Sequence, residues 1–126
     1  MTDYELGQGQ IRVLRVLWQK KRANTNEIID ILNEHDSIKR STVQTFLRAL
    51  VRKGLVGYDV DGRTFEFYPL VTEKEVKHHA FRGFLEHIFE GSMEGLVSYM
   101  IDDEELGTNE LDTIKKLVDD EGETKE

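Results

Sequence analysis

Cysteine is absent from the 126 residues. That excludes disulfides, thiolate metal sites and a cysteine nucleophile, and fits a reducing cytosol. Uninterrupted apolar runs are only a few residues long, whereas a membrane span needs roughly 20. The N-terminus, Met1 to Leu6, has neither the basic region nor the apolar stretch of a signal peptide. No phosphate loop, nucleophile elbow or His-Glu metal motif is present, so nothing points to an enzyme. Positive charge is in deficit as well: 17 Lys and Arg against 25 Asp and Glu leave −8. Taken whole, that balance argues against a nucleic-acid partner. What remains is a chain of one domain, or of a small domain with an appendage. Its 38% hydrophobic content suffices for a core.

The charge is unevenly placed. Up to Val71, just past the single proline Pro69, eleven Lys and Arg stand against nine Asp and Glu, a net +2. From residue 72 onward six stand against sixteen, a net −10. Between Ser37 and Tyr58 there is no acid at all, yet Lys39, Arg40, Arg48, Arg52 and Lys53 lie there. The front is mildly basic with one concentrated segment, and the back is strongly acidic.

Periodicity divides the front into three helices and a hairpin. Ile11, Leu14, Leu17 and Trp18 form one stripe of a helix over 7–20. Asn24 or Thr25 can cap a second helix whose buried face is Ile28, Ile29, Ile31 and Leu32. Asn33 to Asp36 reads as a turn. A third helix begins at Arg40 or Ser41 and ends at Lys53-Gly54, where a left-handed glycine is expected. Its inner face is Val43, Phe46, Leu47, Leu50 and Val51; its outer face carries Ser41, Gln44, Thr45, Arg48 and Arg52. The period then changes to two. Residues 55–60 and 64–68 read as strands, with Asp61-Gly62 as the two central residues of a type I′ turn.

The back returns to helices. Thr72-x-x-Glu75 has capping-box spacing ahead of a helix to about Glu90. Gly91-Ser92 breaks it and caps the next, striped by Met93, Leu96, Val97, Met100 and Ile101. Thr108 caps a last helix bearing Leu111, Ile114, Leu117 and Val118, and the charged end from Asp119 is expected to fray.

The order predicts a mainly α fold with a small β-hairpin: an N-terminal winged helix-turn-helix over 1–71 and a C-terminal three-helix dimerisation region over 72–126. In a winged helix the outer face of the third helix enters the major groove. The expected DNA-binding residues are Lys39, Arg40, Ser41, Thr42, Gln44, Thr45, Arg48 and Arg52, with Arg63 beside the wing turn. Gln44 suits an adenine edge, the hydroxyls suit bases or phosphates, and the cations suit phosphates or guanine. The surplus apolar surface of the back suits a two-fold dimer. Its expected contacts are Phe81, Phe84, Leu85, Ile88, Phe89, Leu96, Val97, Met100, Leu111, Ile114 and Leu117. Winged helices also serve as protein-interaction modules without DNA, and that is the rival reading.

Four ordered segments carry a family resemblance: Ile11-x-x-Leu14-x-x-Leu17-Trp18; Ser41-Thr42-Val43-x-Thr45-x-Leu47-x-x-Leu50-x-x-Lys53-Gly54-Leu55; Phe67-Tyr68-x-Leu70-Val71; and Phe89-x-Gly91-Ser92 followed by Leu96-Val97. Over residues 6–119 the chain resembles the penicillinase-repressor family, which includes regulators of β-lactamase and methicillin-resistance genes and copper-transport repressors. The resemblance implies a homodimeric winged-helix repressor acting on an inverted-repeat operator. Two departures stand out. Copper-responsive members bind metal through C-terminal cysteines, which this chain lacks. Antibiotic-responsive members are cleaved at an Asn–Phe bond after the Gly-Ser break, and the matching positions here are Tyr99-Met100, so the inducing signal and any upstream sensor or protease stay open. The histidines His35, His78, His79 and His87 lack tight ligand spacing, and Asp102 to Glu105 lack the alternation of a calcium loop. No metal and no cofactor is therefore expected, and the expected partners are an operator duplex and a second copy of the chain.

Overall fold

The structure is a computed structural model that describes residues 2–103 and 107–124, with side chains in the last helix as far as Leu117. The chain divides into two compact units, Met1–Phe81 and Arg82–Glu126.

The first unit begins with α1 (Gln8–Lys20), followed by a two-residue strand β1 (Ala23–Asn24), α2 (Thr25–Leu32) and α3 (Arg40–Arg52). A hairpin of β2 (Val56–Asp61) and β3 (Thr64–Pro69) leads into α4 (Glu73–Phe89). α1 buries a broader arc than a single stripe: Val13, Leu14, Val16 and Leu17 are all interior, because α2 and α3 pack on one flank and β3 on another. They meet Ile28 and Leu32 of α2 and Val43, Leu47 and Leu50 of α3, with Leu55, Val56 and Val71 closing the core. Ile29 and Ile31 are only half-buried at its edge. Each such aliphatic side chain contributes about 1.5–3 kcal/mol through burial.

Side chains set the helix starts. Asn24 accepts from the Glu27 amide at 2.9 Å while Glu27 accepts from the Asn24 amide at 3.0 Å, a capping box at the head of α2. Thr72 and Glu75 repeat the device before α4. α3 ends as its sequence foretold. Gly54 takes φ 79°, and the Leu55 amide returns to the Leu50 carbonyl at 3.0 Å.

Two features of the sheet differ from expectation. β1 adds a third strand, antiparallel to β3, giving the order β1-β3-β2; two residues are too few to show a period. The hairpin turn is also shifted by one residue. Asp61 pairs with Thr64, so Gly62 and Arg63 are the central pair. Only Gly62 has positive φ, at 65°, which suits glycine at the first centre of a type II′ turn rather than the type I′ expected.

In the second unit, the run that began as α4 stops where Glu90 (φ 53°) and Gly91 (φ 80°) turn left-handed. Ser92 then accepts from the Gly95 amide at 2.9 Å and caps α5 (Met93–Asp102). α6 spans Thr108–Thr124. Its first turn closes on the Gly107 carbonyl, so Gly107 holds the cap position and Thr108 lies inside the helix, contrary to expectation. Backbone helix continues past Asp119 to Thr124, where fraying was expected. The Val118 side chain, and Glu104 and Glu105 of the acidic cluster, lie outside the described residues.

Candidate nucleic-acid interface

α2 and α3 are held at a fixed approach by their turn. The Asn33 side chain accepts from the Ile38 amide at 2.8 Å, and Asp36 accepts from the Ser37 amide at 2.9 Å. α3 starts on the Lys39 carbonyl without a side-chain cap: the Thr42 and Val43 amides both return to that carbonyl, and the Arg40 and Ser41 amides face solvent or an anion. Lys39, Arg40, Ser41, Gln44, Thr45, Arg48 and Arg52 are exposed, and Thr42 is half-buried. Because the opposite side of α3 is locked into the core, this outer face has one orientation.

The outer face carries its own small network. The Thr45 hydroxyl donates to the Ser41 carbonyl at 2.9 Å and accepts from an Arg48 nitrogen at 3.3 Å. Its proton is therefore committed, and Thr45 offers outward a methyl and an acceptor. Arg48 is steered along the helix while its other donors remain available. Arg40 donates to Asn26 of α2, which ties the head of α3 to its neighbour. Lys53, though it belongs to the acid-free segment, points elsewhere. It donates to the Glu5 carbonyl and to Gln10 at 2.8 Å, pinning the N-terminal arm, whose Asp3 amide donates to the Lys53 carbonyl at 2.9 Å.

The hairpin stands beside this helix with two unlike faces. Cross-strand pairs Tyr58–Phe67 and Val60–Phe65 share one face, and Asp59–Glu66 shares the other. On the apolar face, Tyr58 and Phe65 lie edge to face at 5.5 Å, and both are nearly half exposed. On the acidic face, Arg22 donates to Asp59 and, at 3.2 Å, to Glu66, and lies over the Tyr68 ring at 4.6 Å. The hydrogen bond to Asp59, with Glu66 second among the attractions, raises the Arg22 guanidinium above its ordinary value. Arg63 is exposed at the tip. Sequence reading missed Arg22, Tyr58 and Phe65 as parts of this surface. The signal was the strict alternation Tyr58-Asp59-Val60 and Phe65-Glu66-Phe67, which puts rings on one side and carboxylates on the other.

The model of the family described as penicillinase repressor matches residues 6–120. The chain belongs to this family. Among its relatives, the methicillin resistance regulatory protein MecI of Staphylococcus aureus (strain N315) is 25% identical over 115 residues, covering 91% of this chain and 94% of MecI. The solution structure of the DNA binding domain of the repressor BlaI matches 60% of this chain and 93% of that chain, at 29% identity and a TM-score of 0.54. The monomeric form of Bacillus licheniformis BlaI in complex with the blaP half-operator matches the same shares at 29% identity and a TM-score of 0.50. The mainly helical fold with a winged helix-turn-helix is thus that of a DNA-binding transcription repressor family, named for regulation and not for catalysis.

The residues expected at a subunit contact fall into two groups. Phe81, Phe84, Ile88, Val97 and Leu117 are exposed, Ile88 and Leu117 by 60% or more. Phe89, Leu96, Met100, Leu111 and Ile114 are half-buried. Leu85 is the exception: it is 1% exposed within the single chain, so it belongs to the chain's own interior. α5 and α6 enclose an apolar groove of about 580 Å³ lined by Val97, Met100, Ile101, Leu111 and Ile114 among others. No helix of the described residues is long and apolar enough to cross a membrane. Nor, among the described residues, do three His, Asp or Glu side chains gather where they could hold a metal.

Proposed function

We propose that the protein is a homodimeric, sequence-specific repressor that binds an inverted-repeat operator in the cytoplasm and blocks transcription sterically. The observation that carries this reading is the outer face of α3. It is acid-free, exposed, rich in bidentate and hydroxyl groups, and fixed in orientation by a braced helix-turn-helix with a hairpin alongside. Gln44 and Thr45 are the base readers. Lys39, Arg40, Ser41, Arg48, Arg52 and Arg63 engage phosphates or guanine, and Thr42, half-buried, lines the contact. The half-operator complex of the BlaI relative supports a duplex as the partner.

Residues 72–126 supply the subunit contacts, through Phe81, Phe84, Ile88, Phe89, Leu96, Val97, Met100, Leu111, Ile114 and Leu117. The number of large apolar side chains left exposed there, Phe84, Ile88, Val97 and Leu117 among them, supports a covering partner. Two-fold symmetry then sets two α3 helices about one helical turn of DNA apart.

The test is a mobility shift with DNA from upstream of the protein's own gene at moderate salt. A specific complex is expected from wild type, and reversal of charge at Arg48 and Arg52 should abolish it. A confirmed dimer that gives no specific shift would overturn the proposal in favour of an interaction module, which would keep its protein partner after the same charge reversal.

A further inference from the structure

Between α3 and the hairpin runs a groove of about 580 Å³, within the range of small-molecule sites. Its floor is Leu47 and Val51 of α3, and its wall is the ring cluster Tyr58, Phe65 and Phe67. The rings stand 5.5–6.4 Å apart by their centroids, close enough to form one continuous apolar surface. The rim is different in kind. It carries Gln44, Arg48 and Arg52, and none of the nine lining residues is acidic. Neither Arg48 nor Arg52 forms an ion pair with any described residue.

The occupant such a groove fits has two parts. A flat apolar body lies against the exposed faces of Tyr58 and Phe65, and a single carboxylate meets the two guanidinium groups. A hydrated phosphate would use the rim and waste the rings; a neutral apolar molecule would use the rings and leave both cations unanswered. Arg binds carboxylate through two parallel hydrogen bonds, which gives the head group a defined position. We infer that the groove is a binding site for a small aromatic carboxylate. Because Gln44 and Arg48 line it and also belong to the proposed reading face, occupancy and operator binding exclude one another. That second consequence rests on the DNA-binding reading; the binding site itself does not.

The probe is 2-naphthoate, with 2-naphthalenemethanol as its uncharged counterpart, titrated into the ¹⁵N-labelled full chain without DNA. Saturable shifts of the Gln44, Arg48, Val51, Tyr58 and Phe65 amides by 2-naphthoate are expected, with the alcohol about tenfold weaker. Arg48→Gln, an exposed-surface change, should bring 2-naphthoate down to the level of the alcohol, and Arg52→Gln should act in the same direction. No saturable shift at millimolar 2-naphthoate would overturn the site, as would equal affinity for the two probes. In a second arm, 2-naphthoate should raise the apparent Kd for the upstream DNA in proportion to its occupancy. Equal DNA affinity at full occupancy would overturn the exclusion. Failure of the uncomplexed protein to bind DNA would overturn the repressor reading and leave the amide titration to judge the groove.

Discussion

Arg22 shows how much can hang on one side chain that has no direct place in the reading face. It neutralises Asp59 and Glu66 on the back of the hairpin, two carboxylates that would otherwise repel a nearby phosphate backbone. Replacement by Gln should weaken operator binding several-fold. Adding Asp59→Asn and Glu66→Gln to that variant should restore it, whereas a role as a mere tether would give no recovery; anisotropy titrations of the three proteins distinguish the two. The pH dependence follows from the sign of the shift. A raised guanidinium value means that the interaction persists throughout the range below the group's ordinary value and fades only as pH climbs through the raised one. Operator affinity should therefore show no step near neutral pH that the Arg22→Gln variant abolishes. Arg22 escaped the sequence reading because Lys20-Lys21-Arg22 looks like a generic basic helix end; its partners lie 37 and 44 residues away.

At the scale of the element, α3 and the hairpin were largely legible, since their patterns are long enough for a period to be counted. The five-residue apolar face of α3 and the glycine at its end had direct physical readings. Gly54→Ala should cost about 1 kcal/mol, read as a lower urea midpoint with unchanged slope, since a side chain strains φ 79°. Leu50→Ala, fully interior, should cost about 2–5 kcal/mol by the same measurement. Removing one phosphate contact, as in Arg52→Gln, should weaken binding to all sequences similarly and lower the log–log salt slope by about 1. The turn register and β1 were not legible. A dipeptide signal such as Asp61-Gly62 places a turn without fixing which residue is first, and β1 exists only because β3 lies beside it.

For the whole molecule, the two compact units divide between Phe81 and Arg82, inside α4 and ten residues beyond the boundary expected at Val71. The net charges stay +2 and −10, because residues 72–81 are neutral in sum. The front gathers most of its aliphatic residues into one core and leaves Tyr58, Val60, Phe65 and Leu70 exposed around the hairpin; the back leaves Phe84, Ile88, Val97 and Leu117 exposed. Phe84→Ser with Ile88→Ser should shift sedimentation equilibrium toward monomer and lower operator affinity, with the thermal transition of the first unit retained. Leu85 would be a poor choice for that experiment, since its loss hollows the chain itself. Here the sequence was least informative: a helix apolar on several sides announces that something covers it, and only coordinates separate intrachain burial from surface held in reserve.

Gly9 and Phe46 carry a consequence for how this protein can change. A β-carbon on Gly9, in α1, would fall 2.2 Å from the tip of the Phe46 ring on α3. A single methyl group there must displace the ring, which is half-buried and sits on the helix that bears Gln44 and Arg48. The two positions are therefore ordered in time. A lineage that first shortens Phe46 to Leu can then accept Ala at position 9, with its better helix propensity. A lineage that tries them in the opposite order passes through a variant in which the Phe46 ring must first move aside, and that step carries the cost.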